Sequence, residues 1–254
     1  MKRPFKQLIY GSFFALFFGL LVYGVYALFV YTRLPSCSDG RKNQGEEQTD
    51  CGGPCAPCAL RFVQSIATTT PRIIEIDTNR TSAIVEVRNP NSNFGADPFS
   101  YSLNFYDQAG DNLFSRKGTS FIYGGEIKSL IEPLMEIPFS EIARGELVMG
   151  DISWKLADQF IKPDVQLAEI KTEIFPGKAV VSGFVVNNAV FKLVDVGVST
   201  IVFSGSGVYA GVSKTLLRDI DSFSRGFFSI TVPVVPDIAV DPKLTKVSAE
   251  AKRI

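Results

Sequence analysis

Apolar positions run almost without interruption from Gln7 to Thr32, and that block predicts one helix over 7–32. At about 1.5 Å per residue it is long enough to cross a hydrocarbon core of about 30 Å with some tilt. From Phe62 onward the pattern changes to short stretches in which apolar and polar residues alternate, broken by Gly, Pro, Asn and Asp. This is the rhythm of half-buried antiparallel strands. Ile84-Val85-Glu86-Val87-Arg88-Asn89 and Tyr101-Ser102-Leu103-Asn104-Phe105 carry it most clearly. A second series follows the first: Val85, Val87, Asn89, Leu103 and Phe105 fall opposite Gly183, Val185, Asn187, Ile201 and Phe203 at a constant offset of 98. A tandem duplication is expected, giving a mainly β chain with two immunoglobulin-like antiparallel β-sandwiches at 61–156 and 165–254. Leu156 to Asp164 is the expected linker, and the proline-bearing stretches Ile137-Pro138-Phe139 and Val232-Pro233-Val234 are expected as edge strands closing each half.

Charge orients the helix. Lys2, Arg3 and Lys6 precede it and only Arg33 follows closely, so the positive-inside rule puts residues 1–6 in the cytoplasm and everything after the helix outside. The reading is a single-pass cell-membrane protein with a signal-anchor. A cleaved signal peptide would have a shorter apolar core and an A-x-A-like site, which is missing here. Leu34-Pro35-Ser36-Cys37 loosely resembles a lipobox, but Pro35 and Arg33 fit that pattern poorly. Gly11, Ala15 and Gly19 recur every four residues and so share a face on which a second copy of the helix could pack, giving a homodimer.

Composition narrows the chemistry. The 254 residues include 26 basic and 26 acidic ones. Setting aside Lys2, Arg3, Lys6 and Arg33 leaves 22 basic against 26 acidic, a net of about −4. That balance argues against nucleic acid or an anionic lipid surface as the main partner. There is no histidine, which excludes Ser-His-Asp and Cys-His catalysis, His-containing zinc sites and imidazole pH switches. No acidic pair stands out by spacing as glycosidase-type catalysts would. The outer part is expected to be non-enzymatic.

All four cysteines lie in the juxtamembrane stretch 33–60, at Cys37, Cys51, Cys55 and Cys58. An even number of cysteines in a Gly/Pro/Asp-rich segment outside the membrane reads as a two-disulfide knot, with three connectivities open. Two other readings stand beside it: a Cys55/Cys58 redox pair, which would make this a thiol-disulfide protein, and a four-thiolate zinc site. Asp39, Asn43, Glu46 and Asp50 offer hard oxygen ligands, and Gly40 and Gly45 supply bends, so the same loop is a candidate calcium site and would then be an adhesion module. Otherwise no cofactor is expected. The segment resembles a recurrent motif of bacterial extracytoplasmic proteins, C-x-D-G-x-x-N-x-x-E-x-x-x-D-C-G-G-x-C-x-x-C, which carries no settled activity and implies a cell-surface setting.

The first half carries two further likenesses. Val87-Arg88-Asn89-Pro90-Asn91 resembles the N-P-N turn of late-embryogenesis-abundant type 2 sandwiches. Phe105-Tyr106-Asp107-Gln108-Ala109-Gly110 resembles the hairpin of bacterial FxLYD domains, which implies aromatic residues facing the core and an Asp-x-x-Gly turn. In the second half Asn187-Asn188 and Phe203-Ser204-Gly205 stand at those places. The resemblance implies an accessory, non-enzymatic interaction module, and the duplication favours a cell-envelope role in which the sandwiches bind protein or glycan or take part in envelope assembly. The glycine-rich Gly205 to Gly211 falls where a hairpin belongs, Asn79-Arg80-Thr81 is a glycosylation sequon, and Phe121-Ile122-Tyr123, Phe223 and Phe227-Phe228 are read as core or as a sticky patch.

Overall fold

The computed structural model describes residues 3–31, 36–236 and 238–253. Lys2, Thr32, Arg33 and the lipobox-like Leu34-Pro35 lie outside the described residues. Two compact units are formed, Met1–Phe62 and Val63–Ile254.

In the first unit α1 (Arg3–Tyr31) is one unbroken helix. Its stretch Ile9–Leu28 is long and apolar enough to cross a membrane by length and composition. It is apolar all round rather than on one stripe, the pattern of a helix whose surroundings are themselves apolar. Gly11 and Gly19 have open space where a Cβ would stand.

The second unit is built of strands. The first half has β1 (Ala67–Thr68), β2 (Arg72–Asp77), β3 (Arg80–Arg88), β4 (Phe94–Tyr106), β5 (Asn112–Ile122), β6 (Ile127–Met135) and β7 (Arg144–Leu156). The second has β8 (Val165–Phe175), β9 (Lys178–Asn187), β10 (Leu193–Phe203), β11 (Tyr209–Ile220), β12 (Arg225–Pro233) and β13 (Lys246–Ala251). Every ladder between these strands is antiparallel and stays within its own half. In the first half β3 joins β1, β2 and β6, while β4 joins β5 and β7. In the second β9 joins β8 and β12, while β10 joins β11 and β13, the same pairing in the same chain order.

Alternation puts one face of each sheet inside. Val85, Leu103, Phe105 and Met135 fill one part of the first sandwich, Val87, Ala96, Phe99 and Ile122 another. Val181, Val185, Val196, Val198, Phe228 and Ile230 fill the second sandwich. A buried asparagine ties each sandwich at the same place. Asn89 donates through Nδ2 to the carbonyls of Phe94 and Tyr123 and accepts at Oδ1 from the Asn91 backbone N–H. Asn187 donates to the carbonyls of Phe191, Ile220 and Asp221 and accepts from the Ala189 backbone N–H. Both are fully buried, so these bonds replace the water that the amides would otherwise need.

The offset of 98 holds for β3 with β9 and for β6 with β12, but not for β4 with β10. The connection from Asn187 to Phe191 is one residue shorter than that from Asn89 to Phe94, so Ala96, Phe99 and Phe105 correspond to buried Leu193, Val196 and Val202 at an offset of 97. A slip of one residue turns a strand's side chains over. Ile201 and Phe203, expected opposite Leu103 and Phe105, therefore stay out of the second sandwich's apolar core, and Thr200 and Val202 occupy the inner positions.

Two other expectations are corrected. Pro138 precedes a 3-10 turn at Phe139–Glu141 rather than lying in a strand, and each half continues beyond its proline stretch with β7 or β13. In the β4–β5 hairpin Asp107 and Gly110 make the expected turn, with Gly110 at φ 90, but only Phe105 points inward. Tyr106 lies outside, its hydroxyl donating to Glu146 and its ring under the Arg144 guanidinium at 3.9 Å.

Candidate functional site

The cysteine segment has no apolar core of its own; its buried residues are Cys51, Cys55, Cys58, Glu46 and Gly52. Two disulfides hold it, Cys37–Cys55 and Cys51–Cys58, closing loops with separations of 18 and 7. By the chain-entropy account such loops contribute about 3 and about 2 kcal/mol. The expected two-disulfide knot is formed, Cys55 and Cys58 bond to different partners, and the alternative Cys55/Cys58 redox pair is not formed. The four-thiolate zinc reading loses its ligands for the same reason, since all four sulfurs are in bridges. Gly52 and Gly53 both take positive φ, and a Cβ on Gly53 would stand 2.4 Å from the Gly45 carbonyl.

The oxygen-bearing residues proposed for calcium fold the loop themselves. Both oxygens of Asp50 accept from the Gly40 N–H at 3.0 Å. Glu46 Oε2 accepts from the backbone N–H groups of Asn43 and Asp50. Asp39 accepts from the Arg41 N–H and from Asn43 Nδ2, and that side-chain bond holds its carboxyl below the usual range. Asn43 Oδ1 is buried with no hydrogen-bond partner. Among the described residues, the one group of three ligand-type side chains within 4.8 Å is Cys37, Glu46 and Cys55, and two of those are disulfide-bonded. Glu46 Oε1 lies 3.2 Å from Cys55 Sγ. That sulfur carries no proton in the disulfide, so this is a close contact of a buried carboxylate with the bridge rather than a hydrogen bond.

A second constellation lies at the seam of the two sandwiches, where sequence reading named no site. Ile74, Ile76, Ile84 and Ile131, on the outer face of the β2–β3–β6 sheet, pack against Val212 of β11, with Ile201 and Tyr209 beside it. The one-residue slip of β10 is what delivers Ile201 there. Polar clamps surround this patch. Lys214 Nζ donates to the Ile131 carbonyl and pairs with Glu132. Buried Lys128 pairs with Glu250 and also donates to Ser120 Oγ and the Phe121 carbonyl. Asp97, 6% exposed, is held between Lys155 at 2.8 Å and Lys252 at 2.7 Å. Burial alone would raise the Asp97 carboxyl, but the two lysine hydrogen bonds outweigh it and keep it below the usual range. The Tyr123 hydroxyl donates to the Ala251 carbonyl and its ring stacks on Phe160 at 4.4 Å; burial pushes its hydroxyl up.

The seam opens on two grooves. One, about 640 Å³, is lined by Lys128, Lys162, Ile170, Ile201, Lys246 and Glu250 among others. The other, about 620 Å³, lies along the connection between the halves, beside Phe160, Ile161, Val190 and Arg253. Of the aromatic residues singled out in the sequence, Tyr123 and Phe228 are buried, whereas Phe223 and Phe227 stand 71% and 59% exposed. Charges at the seam could be anticipated only as isolated Lys, Asp and Glu; nothing in their spacing joins Asp97 to Lys252.

No family model matches the chain, and no curated protein matches it. Among solved structures, that of red sea bream transglutaminase aligns with 76% of this chain and 32% of its own, at 10% identity and a TM-score of 0.24. The chain thus spans about a third of that protein's length, and a likeness this distant carries no inference about activity.

Proposed function

We propose that this is a membrane-anchored, non-catalytic interaction protein. Its α1 helix crosses the membrane with the N-terminus in the cytoplasm, and the cysteine module and paired sandwiches lie outside, where they bind protein or glycan or take part in envelope assembly. The observation that carries the reading is the use made of the buried ionisable groups. Asp97 and Lys128 are paired across the seam, and Glu46 ties backbone N–H groups in the module. Each is engaged in holding the fold, whereas a catalytic group needs a free face toward a substrate. The equal strand pairing of the halves and their matching asparagines further support an internal duplication, and the sandwich likenesses noted above are consistent with an accessory module.

Fusion of alkaline phosphatase and of a fluorescent protein to the C-terminus of the full chain in a bacterial host tests the placement. The reading expects phosphatase activity, no fluorescence, and a fusion that stays in the membrane after alkaline carbonate extraction. A fluorescent or carbonate-soluble fusion would contradict it. The calcium reading of the loop has one observation in its favour, the unpartnered Asn43 Oδ1. A rise in melting temperature with Ca²⁺ that chelator reverses would support it, and no change would remove it.

A further inference from the structure

Each sandwich ends in the same pair of turns, and the two halves fill them differently. The Asn89 N–H donates to the Glu126 carbonyl and the Asn187 N–H to the Ser224 carbonyl, both at 2.9 Å, so the turn at 123–126 corresponds to the turn at 221–224. In the first half this end is built from polar and small residues, Pro90-Asn91-Ser92-Asn93 in one turn and Gly124-Gly125 in the other. The second half has Asn188-Ala189-Val190-Phe191 and Ser222-Phe223 there. Val190 is 79% exposed and Phe223 71%. Phe223 also takes φ 56, at the place where Gly125 takes φ 70. Glycine adopts that region freely, whereas a bulky side chain is held there at a cost that the first half avoids. An exposed phenylalanine gives the fold no burial in return, so the residue points to a contact outside the fold.

The connection between the halves brings a third apolar side chain to this end. The Ala157 N–H donates to the Asn93 carbonyl and the Asn188 N–H to the Asp164 carbonyl, so the connection runs from the turn of one half to the turn of the other. Its Ile161 is 69% exposed and lines one groove with Val190. The chain also enters the sandwiches at this end. The Gln64 N–H donates to Asn91 Oδ1, and the Gln64 carbonyl accepts from Asn91 Nδ2. Gln64 is where the chain arrives from α1, and the Cys37–Cys55 bridge, with its separation of 18, removes that loop from the length of the tether. The end that carries the exposed apolar side chains is therefore the end to which the tether is attached.

We infer that Ile161, Val190 and Phe223 dip into the lipid surface of the membrane that α1 crosses, an inference that rests on the anchor proposed above. Insertion at the interface asks for apolar side chains that reach about 5–10 Å into the boundary between headgroups and acyl chains. Separate side chains on three loops suit a fluid surface, whereas a protein interface has a contiguous packed core. Three side chains alone would hold a free protein weakly, but a tethered one meets the surface at a high effective concentration, so a weak contact suffices. Lipid charge is not what attracts them. Lys162 and Lys192, the lysines beside these side chains, already pair with Glu126 and Asp219, so neutral lipid serves as well as anionic.

The test uses the full chain in phosphatidylcholine nanodiscs with no other protein present. Phe223→Trp should add a blue-shifted emission that lipids brominated near the headgroup end of their acyl chains quench at least about twofold more than they quench the parent chain. Phe175→Trp, at the far end of β8, should be quenched no more than the parent. Adding Ile161→Asp and Val190→Asp to Phe223→Trp should remove the extra quenching. Phe223→Gly should melt no lower than the parent, because glycine relaxes the turn, whereas a side chain needed by the fold would be missed. A chain held in the disc whose Phe223→Trp emission escapes quenching would overturn the inference while the anchor stands, and would assign the three side chains to a protein partner. Quenching that survives the two aspartates, or a clear loss of stability in Phe223→Gly, would also overturn it. A chain that does not enter the disc would overturn the anchor and this inference with it.

Discussion

Asp97→Asn is the substitution that most sharply probes the seam. Asp97 belongs to the first sandwich and Lys252 follows β13 of the second, so their bond at 2.7 Å joins the two halves directly. Lys155, at 2.8 Å, holds the other carboxylate oxygen. A charge-assisted hydrogen bond is worth about 1.5–3 kcal/mol, and two of them lose their charge in the variant. The lysine side chains are 44% and 39% exposed, so solvent screens both bonds and the ammonium groups can turn to water. The expected loss at pH 7 is therefore about 2 kcal/mol, or roughly 4–8 °C in melting temperature for a unit of this size. The pH dependence adds a second handle. The folded Asp97 carboxyl lies below the 3.8 of an ordinary aspartate, which is what the unfolded chain presents. Its contribution is full above that value and is lost as pH falls through the folded one, so the gap between wild type and variant should narrow below about pH 4. Trp154 sits in β7 beside Ala96 and is the only tryptophan, which makes its emission a specific probe of this unit. Melting temperatures within 1 °C of each other at pH 7, or a gap that stays constant down to pH 2.5, would show that the Asp97 carboxylate does not hold the seam.

Other perturbations test other parts. Asn89→Ala and Asn187→Ala each strip a buried knot of hydrogen bonds, and each should cost about 2–4 kcal/mol in urea unfolding followed by Trp154; a loss under 1 kcal/mol in both would show that these amides do not hold the sandwiches. Glu46→Gln removes negative charge 3.2 Å from Cys55 Sγ, where it opposes a departing thiolate, so dithiothreitol should open the Cys37–Cys55 bridge roughly two- to threefold faster, and an unchanged rate would remove that role for Glu46. Gly211→Ala should destabilise the second sandwich by more than 2 kcal/mol, because its Cβ would stand 2.1 Å from the Pro233 carbonyl, while Gly197→Ala, with nothing nearer than 3.9 Å, should stay within about 1 kcal/mol; equal effects would contradict the packing between β11 and β12.

The helix and the strand-rich body were legible because each leaves an unambiguous period in the chain: twenty-six uncharged positions in one case, alternation about Val85 and Val185 in the other. The equal placement of Asn89 and Asn187 after matching strands was legible, but their burial was not, because the sequence marks Asn89 only as part of a turn. The facing of Ile201 was not legible either. A loop one residue shorter between Asn187 and Phe191 reverses β10, and a constant offset conceals such a slip because every residue type remains plausible on either face. Nor could the cysteine pairing be read, since three connectivities satisfy the same spacing. The seam was hidden for a different reason. Ile74, Ile84 and Ile131 look like core residues in the sequence, and only the fold reveals that they face the other sandwich.

In the proposed topology the cysteine module and sandwiches stand on the oxidising side of a membrane that α1 crosses. The most direct measurement is mass spectrometry of the full chain taken from isolated membranes, alkylated at lysis and digested without reductant. Linked peptides for Cys37–Cys55 and Cys51–Cys58 are expected, with no alkylated cysteine. Recovery of the chain in the soluble fraction, or of the four cysteines as alkylated thiols, would contradict this topology.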